Sequence, residues 1–227
     1  MKKNFFLGFI PARKGSQGIK NKNIILLKKK KLIEYSIKSS LESRLIDQTF
    51  VSTDDQRILN LSNTFKKVNF YKRLKSLSSS KSLMKDVIIN FINQHKRNYS
   101  LNNLNIVVLQ PTSPLRNSKD IDDAISFFLK KKAKFLVSVS DPMSHPEDIV
   151  FENKKKVSKL ILSQKEKNRQ NFKKFYYING SIFIINASSF LKSKKFVNKN
   201  TLLFKMKKKH SIEIDDLIDL KLVKALI

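Results

Sequence analysis

The sequence predicts an α/β fold, a mostly parallel sheet with helices on both faces, from three observations. Short apolar runs of strand length alternate with segments of helical periodicity over most of the chain. Only four glycines and five prolines occur, and they gather mainly at residues 8–23, 110–116 and 179–181. In a chain this rich in lysine and asparagine, a retained Gly or Pro points to a backbone that needs it. Two of these clusters directly follow predicted strands, and right-handed crossovers bring such loops to one edge of a sheet, where ligands bind.

Residues 5–10 are apolar apart from Gly8 and end at Pro11, which predicts a buried strand followed by a loop, with Gly8 marking a close backbone approach. Residues 31–43 carry Leu32, Ile33, Tyr35, Ile37 and Leu41 at near-helical spacing. A strand follows at 49–52, a helix at 55–65 and a third strand at 68–71. Residues 82–95 form a helix with Val87, Ile88, Phe91 and Ile92 on one side. A fourth strand at 105–109, a helix at 118–129 opened by a Ser118 cap and a fifth strand at 135–139 continue the alternation. Residues 141–178 break it. They are lysine-rich, with short apolar runs at 149–151 and 157–162 and an aromatic cluster of Phe175, Tyr176 and Tyr177. This segment reads as a surface excursion or as a dimerisation arm or lid. The core resumes at 182–185 and closes with a helix at 216–226. No repeat or linker composition divides the chain, so residues 1–227 read as one domain.

Composition excludes several function classes. Lys and Arg number 47 against 18 Asp and Glu, a net charge of +29, yet only seven of the cations are arginines. Phosphate-gripping surfaces favour arginine, whose planar fork binds oxyanions bidentately. The lysine excess therefore reads as background composition, and no specific nucleic-acid partner is expected. The absence of cysteine removes disulfides, thiolate nucleophiles and Cys-based zinc sites. His95, His145 and His210 are too scattered for a His-rich metal site. No apolar run has the length of a membrane helix and no leader pattern opens the chain, so the expectation is a soluble, cytoplasmic protein without membrane insertion.

The loop after the first strand, residues 10–23, reads I-P-A-R-K-G-S-Q-G-I-K-N-K-N. Two glycines let several backbone N–H groups converge on one point, and Arg13, Lys14, Lys20 and Lys22 add charge, a pattern suited to an anion. It is neither a Walker A sequence nor a dinucleotide fingerprint. The string resembles P-A-R-x-G-S-K-G-I-x-x-K-N, the N-terminal signature of the cytidylyltransferases that activate sialic-acid-like sugars, the acylneuraminate cytidylyltransferase family. Further segments fit in order. They are V-S-T-D-D at 51–55, L-Q-P-T-S-P-L-R at 109–116 without a change, N-G-S-I-F at 179–183 and S-I-E-I-D-D-L-I-D-L at 211–220.

The resemblance implies a three-layer, Rossmann-like fold of the nucleotide-diphospho-sugar transferase type, with residues 141–178 building a homodimer. It implies a reaction in which the anomeric hydroxyl of an acidic nine-carbon sugar attacks the α-phosphorus of CTP, giving a CMP-sugar and pyrophosphate. Carried over residue by residue, it assigns Arg13, Gly15, Ser16, Lys22, Asn23, Arg73 and Ser82 to the nucleotide and Gln110, Arg169 and Asn179 to the sugar. Arg13, Lys22 and Asp215 carry the catalysis. Glu213 and Asp215 hold Mg2+, with Mn2+ as an alternative ion; two residues apart on an extended segment, they project to the same face.

Some family positions are not kept. Gln17 replaces a phosphate-facing lysine, Ser80 an aspartate, Glu213 an aspartate and Lys173 a proline, and Glu147-Asp148 stand where a sugar-site lysine can follow His145-Pro146. These changes leave open a second reading, a nucleotide-sugar-binding relative with impaired catalysis.

Overall fold

The computed structural model describes residues 3–15, 18–144, 149–153, 156–159 and 174–227. The chain opens with β1 (Phe5–Pro11), the two-residue strands β2 (Leu26–Leu27) and β3 (Lys30–Lys31), α1 (Leu32–Leu41) and β4 (Gln48–Thr53). Next come α2 (Gln56–Leu59), β5 (Val68–Lys72), α3 (Met84–His95), β6 (Leu104–Leu109), α4 (Ser118–Lys130) and β7 (Phe135–Ser140). The last part holds β8 (Val150–Asn153), β9 (Lys156–Lys159), β10 (Tyr177–Asn186), α5 (Ala187–Ser193), β11 (Leu202–Lys205) and α6 (Leu217–Leu226). Seven strands join in the order β11-β7-β10-β6-β1-β4-β5. All neighbours are parallel except β10, which runs antiparallel to both β6 and β7.

Period-two alternation builds a core on each face of the sheet. Phe6 and Ile10 of β1 face one side with Val51, Val107 and Leu109, packed by Ile33 and Ile37 of α1 and Ile121, Ile125 and Phe128 of α4. Leu7 and Phe9 face the other with Phe50, Ile106 and Val108, under Val87, Ile88, Phe91 and Ile92 of α3 and Phe190 of α5. A third cluster lies at one end, where Ile19 of the first loop meets Leu27, Leu32, Ile214, Leu220 and Val223. It ties the first loop to α6.

Gly8 is the close approach expected of it. A Cβ there would lie 2.5 Å from Ser40 Oγ of α1, which is hydrogen-bonded to Thr49 Oγ1 at 2.8 Å, and 3.2 Å from Ile46. The other conditioned backbone position is Gly180, with φ of 65°, within the register shift between β10 and β7.

Arg116, last residue of the unchanged octapeptide, is an internal brace. It is 2% exposed and donates to the carbonyls of Gln110 at 3.2 Å and Ser181 at 2.7 Å and to Ser36 Oγ at 2.6 Å. Burial lowers its pKa to about 9, because only neutral acceptors receive its charge. One residue thus joins α1, the end of β6 and β10.

Several expectations need correction. Asn117, not Ser118, caps α4, accepting from the Asp120 N–H at 2.9 Å, and Asp120 reciprocates in a capping box. The 55–65 helix is only the four residues of α2 followed by a 3-10 turn at Asn60–Asn63. β10 extends the predicted 182–185 strand by five residues on its N-terminal side, because the Asn179-Gly180 bulge absorbs a break in pairing. α5 and β11 stand in a stretch left without assignment, where burial of Phe190 and parallel pairing with β7 outweigh weak local patterns. Within 141–178, β8 and β9 pair antiparallel, and residues 160–173 lie outside the described residues.

Gly8→Ala should lower stability by about 1–3 kcal/mol through overpacking of α1 on β1, read from the midpoint of thermal or denaturant unfolding. An unchanged midpoint would show that α1 moves away freely.

Candidate active site

A cleft of about 450 Å3 opens at the C-terminal ends of the parallel strands. Its walls come from residues just past the ends of three of them, Arg13 two residues after β1, Arg73 directly after β5 and Gln110 directly after β6. From β1 the sheet extends to β4 and β5 on one side and to β6 on the other, so the cleft lies at a point where the winding reverses. Lys22, Asn23, Met84, Thr112 and Asp215 complete much of the wall.

The first loop is pinned at both ends of its described part. The Lys14 N–H donates to Asp54 Oδ1 at 2.7 Å, and Asn23 Nδ2 donates to the Arg13 carbonyl at 3.0 Å, closing the loop on itself. Its returning limb rests on the acidic segment before α6. Gly18 is packed so closely that a Cβ would stand 2.5 Å from the Asp215 carbonyl. Lys22, 8% exposed, donates to the Ile214 carbonyl at 2.7 Å and pairs with Asp215 Oδ1 at 3.2 Å. Gly15, with φ of 77°, turns the loop without contributing to the wall.

Arg73 is 5% exposed and held from behind, Nε donating to Ser52 Oγ at 3.1 Å and one terminal nitrogen to the Ser52 carbonyl at 3.0 Å. Burial lowers its pKa, the nearby Arg13 adds to this, and Tyr71 and Asp54 oppose it. Two guanidinium groups thus stand together at one end of the cleft, an arrangement that an anion relieves.

At the other end, the acidic segment is extended. Ile214 is buried and its N–H donates to the Thr112 carbonyl at 2.8 Å, which turns Glu213 and Asp215 away from the third cluster. Glu213 Oε1 accepts from Thr112 Oγ1 at 2.7 Å, and its carboxylate sits where a Cβ on residue 180 would be 2.9 Å away. Burial raises the Glu213 pKa, and neighbouring Asp215 and Asp219 add to it, against the Thr112 hydrogen bond and Lys22. The cap of α6 is Asp216, which accepts from the N–H groups of Ile218 and Asp219, so Asp215 is not used for capping.

The structure therefore gathers Arg13, Lys22, Asn23, Arg73, Gln110 and Asp215 around one cleft, with Glu213 behind Thr112. It does not bring Ser82 or Asn179 to the wall. Ser82 bonds within its own loop, to Ser79 Oγ and the Ser76 carbonyl. Asn179 is fully buried, its Oδ1 accepting from Ser138 Oγ at 2.6 Å and its Nδ2 donating to Ser211 Oγ at 2.9 Å, so it braces the bulge from inside. Ser16, Gln17, Glu147, Asp148, Arg169 and Lys173 lie outside the described residues. Met84 and Thr112 escaped sequence reasoning. Thr112 lay inside the unchanged octapeptide, which was a usable signal, whereas Met84 is one of many apolar residues at a helix start.

Comparison with known proteins agrees with this geometry. The cytidylyltransferase family model matches residues 7–225. An N-acylneuraminate cytidylyltransferase of Streptococcus agalactiae is 30% identical over 209 residues, 91% of this chain and 49% of that protein. The chain thus spans about half the length of the first curated relatives it matches. A CMP-N,N'-diacetyllegionaminic acid synthase of Campylobacter jejuni is 29% identical over 223 residues, covering 96% of this chain and 93% of its own. Among solved structures, a CMP:2-keto-3-deoxy-manno-octonic acid synthetase complexed with CTP aligns with a TM-score of 0.71 at 13% identity, over 98% of both chains, which speaks to the fold. With a mostly parallel seven-stranded sheet, its ligand edge built from the expected motifs and a family match over nearly its whole length, the chain belongs to the cytidylyltransferase family.

Proposed function

We propose that the chain transfers CMP from CTP to the anomeric hydroxyl of a nonulosonic acid and releases pyrophosphate. The observation that carries this reading is the cleft itself. The guanidinium groups of Arg13 and of buried Arg73 stand in its wall with the clamped Lys22 and Asp215, and the Glu213 carboxylate lies just behind Thr112. Relatives named for N-acylneuraminic, legionaminic and pseudaminic acids support the sugar class.

In this reading the sugar hydroxyl forms the new O–P bond as the bond from the α-phosphorus to the bridging oxygen breaks, and the hydroxyl proton leaves to solvent or a nearby base. Arg13 and Arg73 offset triphosphate charge, and Lys22 holds the loop and the acidic segment in register, so that catalysis rests on positioning and electrostatics. Gln110 reads the sugar from the end of β6, Asn179 positions the Gly180 bulge against Glu213, and Arg169 reaches the sugar carboxylate. Glu213 and Asp215 suit a divalent cation, because a desolvated carboxylate raised by a neighbouring carboxylate is relieved by positive charge. Among the described residues no cluster of three or more His, Cys, Asp or Glu side chains gathers, so phosphate oxygens would supply the other ligands. When bound, magnesium or manganese would supply further neutralisation of the triphosphate. The segment 141–178 makes a homodimer, bordered by exposed Tyr177 and Ile178, and the protein works in the cytoplasm. No described helix is long and apolar enough to cross a membrane.

Incubation with CTP, magnesium and a panel of nonulosonic acids should release pyrophosphate with at least one sugar. CTP binding without any pyrophosphate would favour the impaired relative suggested by Gln17, Ser80 and Glu213. Asp215→Ala and Arg13→Ala should each lower turnover by about a hundredfold or more; wild-type turnover in either variant would remove that residue from the mechanism.

Glu213 also gives a stability signature without turnover. Its folded pKa is raised, so ionisation penalises the folded state; the penalty is absent below the unfolded value near 4.5 and complete above the raised folded value. Glu213→Gln should therefore raise the melting temperature at neutral pH without metal, with the gain fading below pH 4.5. Magnesium should stabilise the wild type more than this variant. A neutral-pH melting temperature at or below wild type would contradict the penalty, and equal magnesium shifts would contradict the metal assignment.

A further inference from the structure

Arg57, at the start of α2, lies outside the cleft wall and outside every matched motif, yet its guanidinium joins two elements of the site. Nε donates to Asp55 Oδ1 at 2.9 Å, and a terminal nitrogen donates both to Asp55 Oδ2 at 2.7 Å and to Asn21 Oδ1 at 2.9 Å. Asp55 is 5% exposed and anchored in the α2 cap, where it also accepts from the Arg57 N–H, and the Arg57 hydrogen bonds hold its carboxyl below the usual range. Asn21 is left-handed, with φ of 57°, and stands immediately before the 3-10 turn Lys22–Ile24 that carries Lys22 and Asn23. Asp55 and Asn21 Oδ1 are both acceptors, so in this amide orientation they need a donor between them. A planar donor fork between them solves this, and a lysine could not form the same bidentate pair with a third bond.

We propose that Arg57 is a positioning residue for the reaction, a latch that couples the acidic Asp54-Asp55 turn to the returning limb of the first loop. Other contacts also hold the described part of the loop, among them Lys14 to Asp54, Asn23 to Arg13, Lys22 to Ile214 and Asp215, and Ile19 in the third cluster. Of these contacts, the Arg57 bond is the one made to the side chain of the left-handed corner that sets the direction of the Lys22-Asn23 turn. Without it the corner keeps its local bond, the Ile24 N–H to the Asn21 carbonyl at 3.0 Å, but loses its tie to α2, and triphosphate binding must order it. This inference rests on the cytidylyltransferase reading for its kinetic part and on the ligand-free protein for the rest.

A loosened corner weakens ground state and transition state alike, so KM rises while kcat holds. Arg57→Ala and Asn21→Gly should each raise the KM and dissociation constant for CTP about three- to tenfold, with kcat within about twofold. Glycine keeps the left-handed backbone accessible and removes the acceptor; Asn21→Asp retains an acceptor and should keep affinity within about twofold of wild type. The double variant Arg57→Ala with Asn21→Gly should be no weaker than the worse single one, since both remove one bond. Hydrogen exchange at residues 18–24 of the ligand-free protein should speed up in Arg57→Ala and Asn21→Gly; the melting temperature should change little in Asn21→Gly but fall in Arg57→Ala, which leaves the buried Asp55 carboxylate without its charged partner. Unchanged exchange, or additive effects in the double variant, would overturn the latch. If the wild type binds no CTP, the nucleotide reading fails, and the exchange data still decide whether the latch exists.

Discussion

The contact on which the site depends is the one between Lys22 and the strand-like segment before α6. Its ammonium donates to the Ile214 carbonyl across 192 positions of sequence, beneath a small apolar cluster that includes Ile19, Ile214 and Leu220. Burial of Lys22 makes the geometry strict, because a nearly desolvated ammonium requires partners and, among the described residues, finds them in Ile214 and Asp215. Gly18 adds the complementary constraint, since any side chain there would collide with the Asp215 backbone. The cationic loop and the acidic segment are thus held face to face, although mutual attraction between exposed charges alone would be weak.

A second set of constraints fixes the far wall. Arg116 gathers the end of β6, α1 and β10 through hydrogen bonds to neutral acceptors, and Asn179 secures β10 to β7 and to Ser211. Both side chains lie in the protein interior and work through backbone position. Their consequence is Gly180, whose left-handed bulge leaves room for the Glu213 carboxylate. An antiparallel strand in an otherwise parallel sheet is therefore part of how the acidic end of the cleft is built.

The legible part of this protein followed from patterns short enough to be local. Short apolar runs predicted β1, β4, β6 and β7 because strands buried on both faces need near-continuous hydrophobic side chains, and edge strand β5 showed through Val68, Phe70 and Tyr71 although only Val68 is buried. Rare glycines marked Gly8 and the first loop because only a missing side chain fits there. What escaped was set by distant partners. β11 is recognisable only through β7, and α5 only through the sheet face that buries Phe190. The cap of α4 shifted by one residue because Asn117 and Asp120 satisfy each other's backbone, a reciprocity that outweighs a single serine.

The same division runs through the site. By itself the sequence determined which residue types accompany the first loop, the octapeptide and the acidic segment, and the order of the motifs identified the family they resemble. Residue type and spacing carry that information because a phosphate-accepting loop needs glycine and cations wherever it occurs. Only the tertiary structure decided which of those residues face the cleft. It turned Arg73, Gln110 and Asp215 toward it, enclosed Asn179 and Arg116 within the fold, and set Arg57 as a bridge to Asn21. The reason is physical: side-chain direction depends on strand register, bulges and buried hydrogen-bond partners, and each of these is settled by segments far apart in the chain.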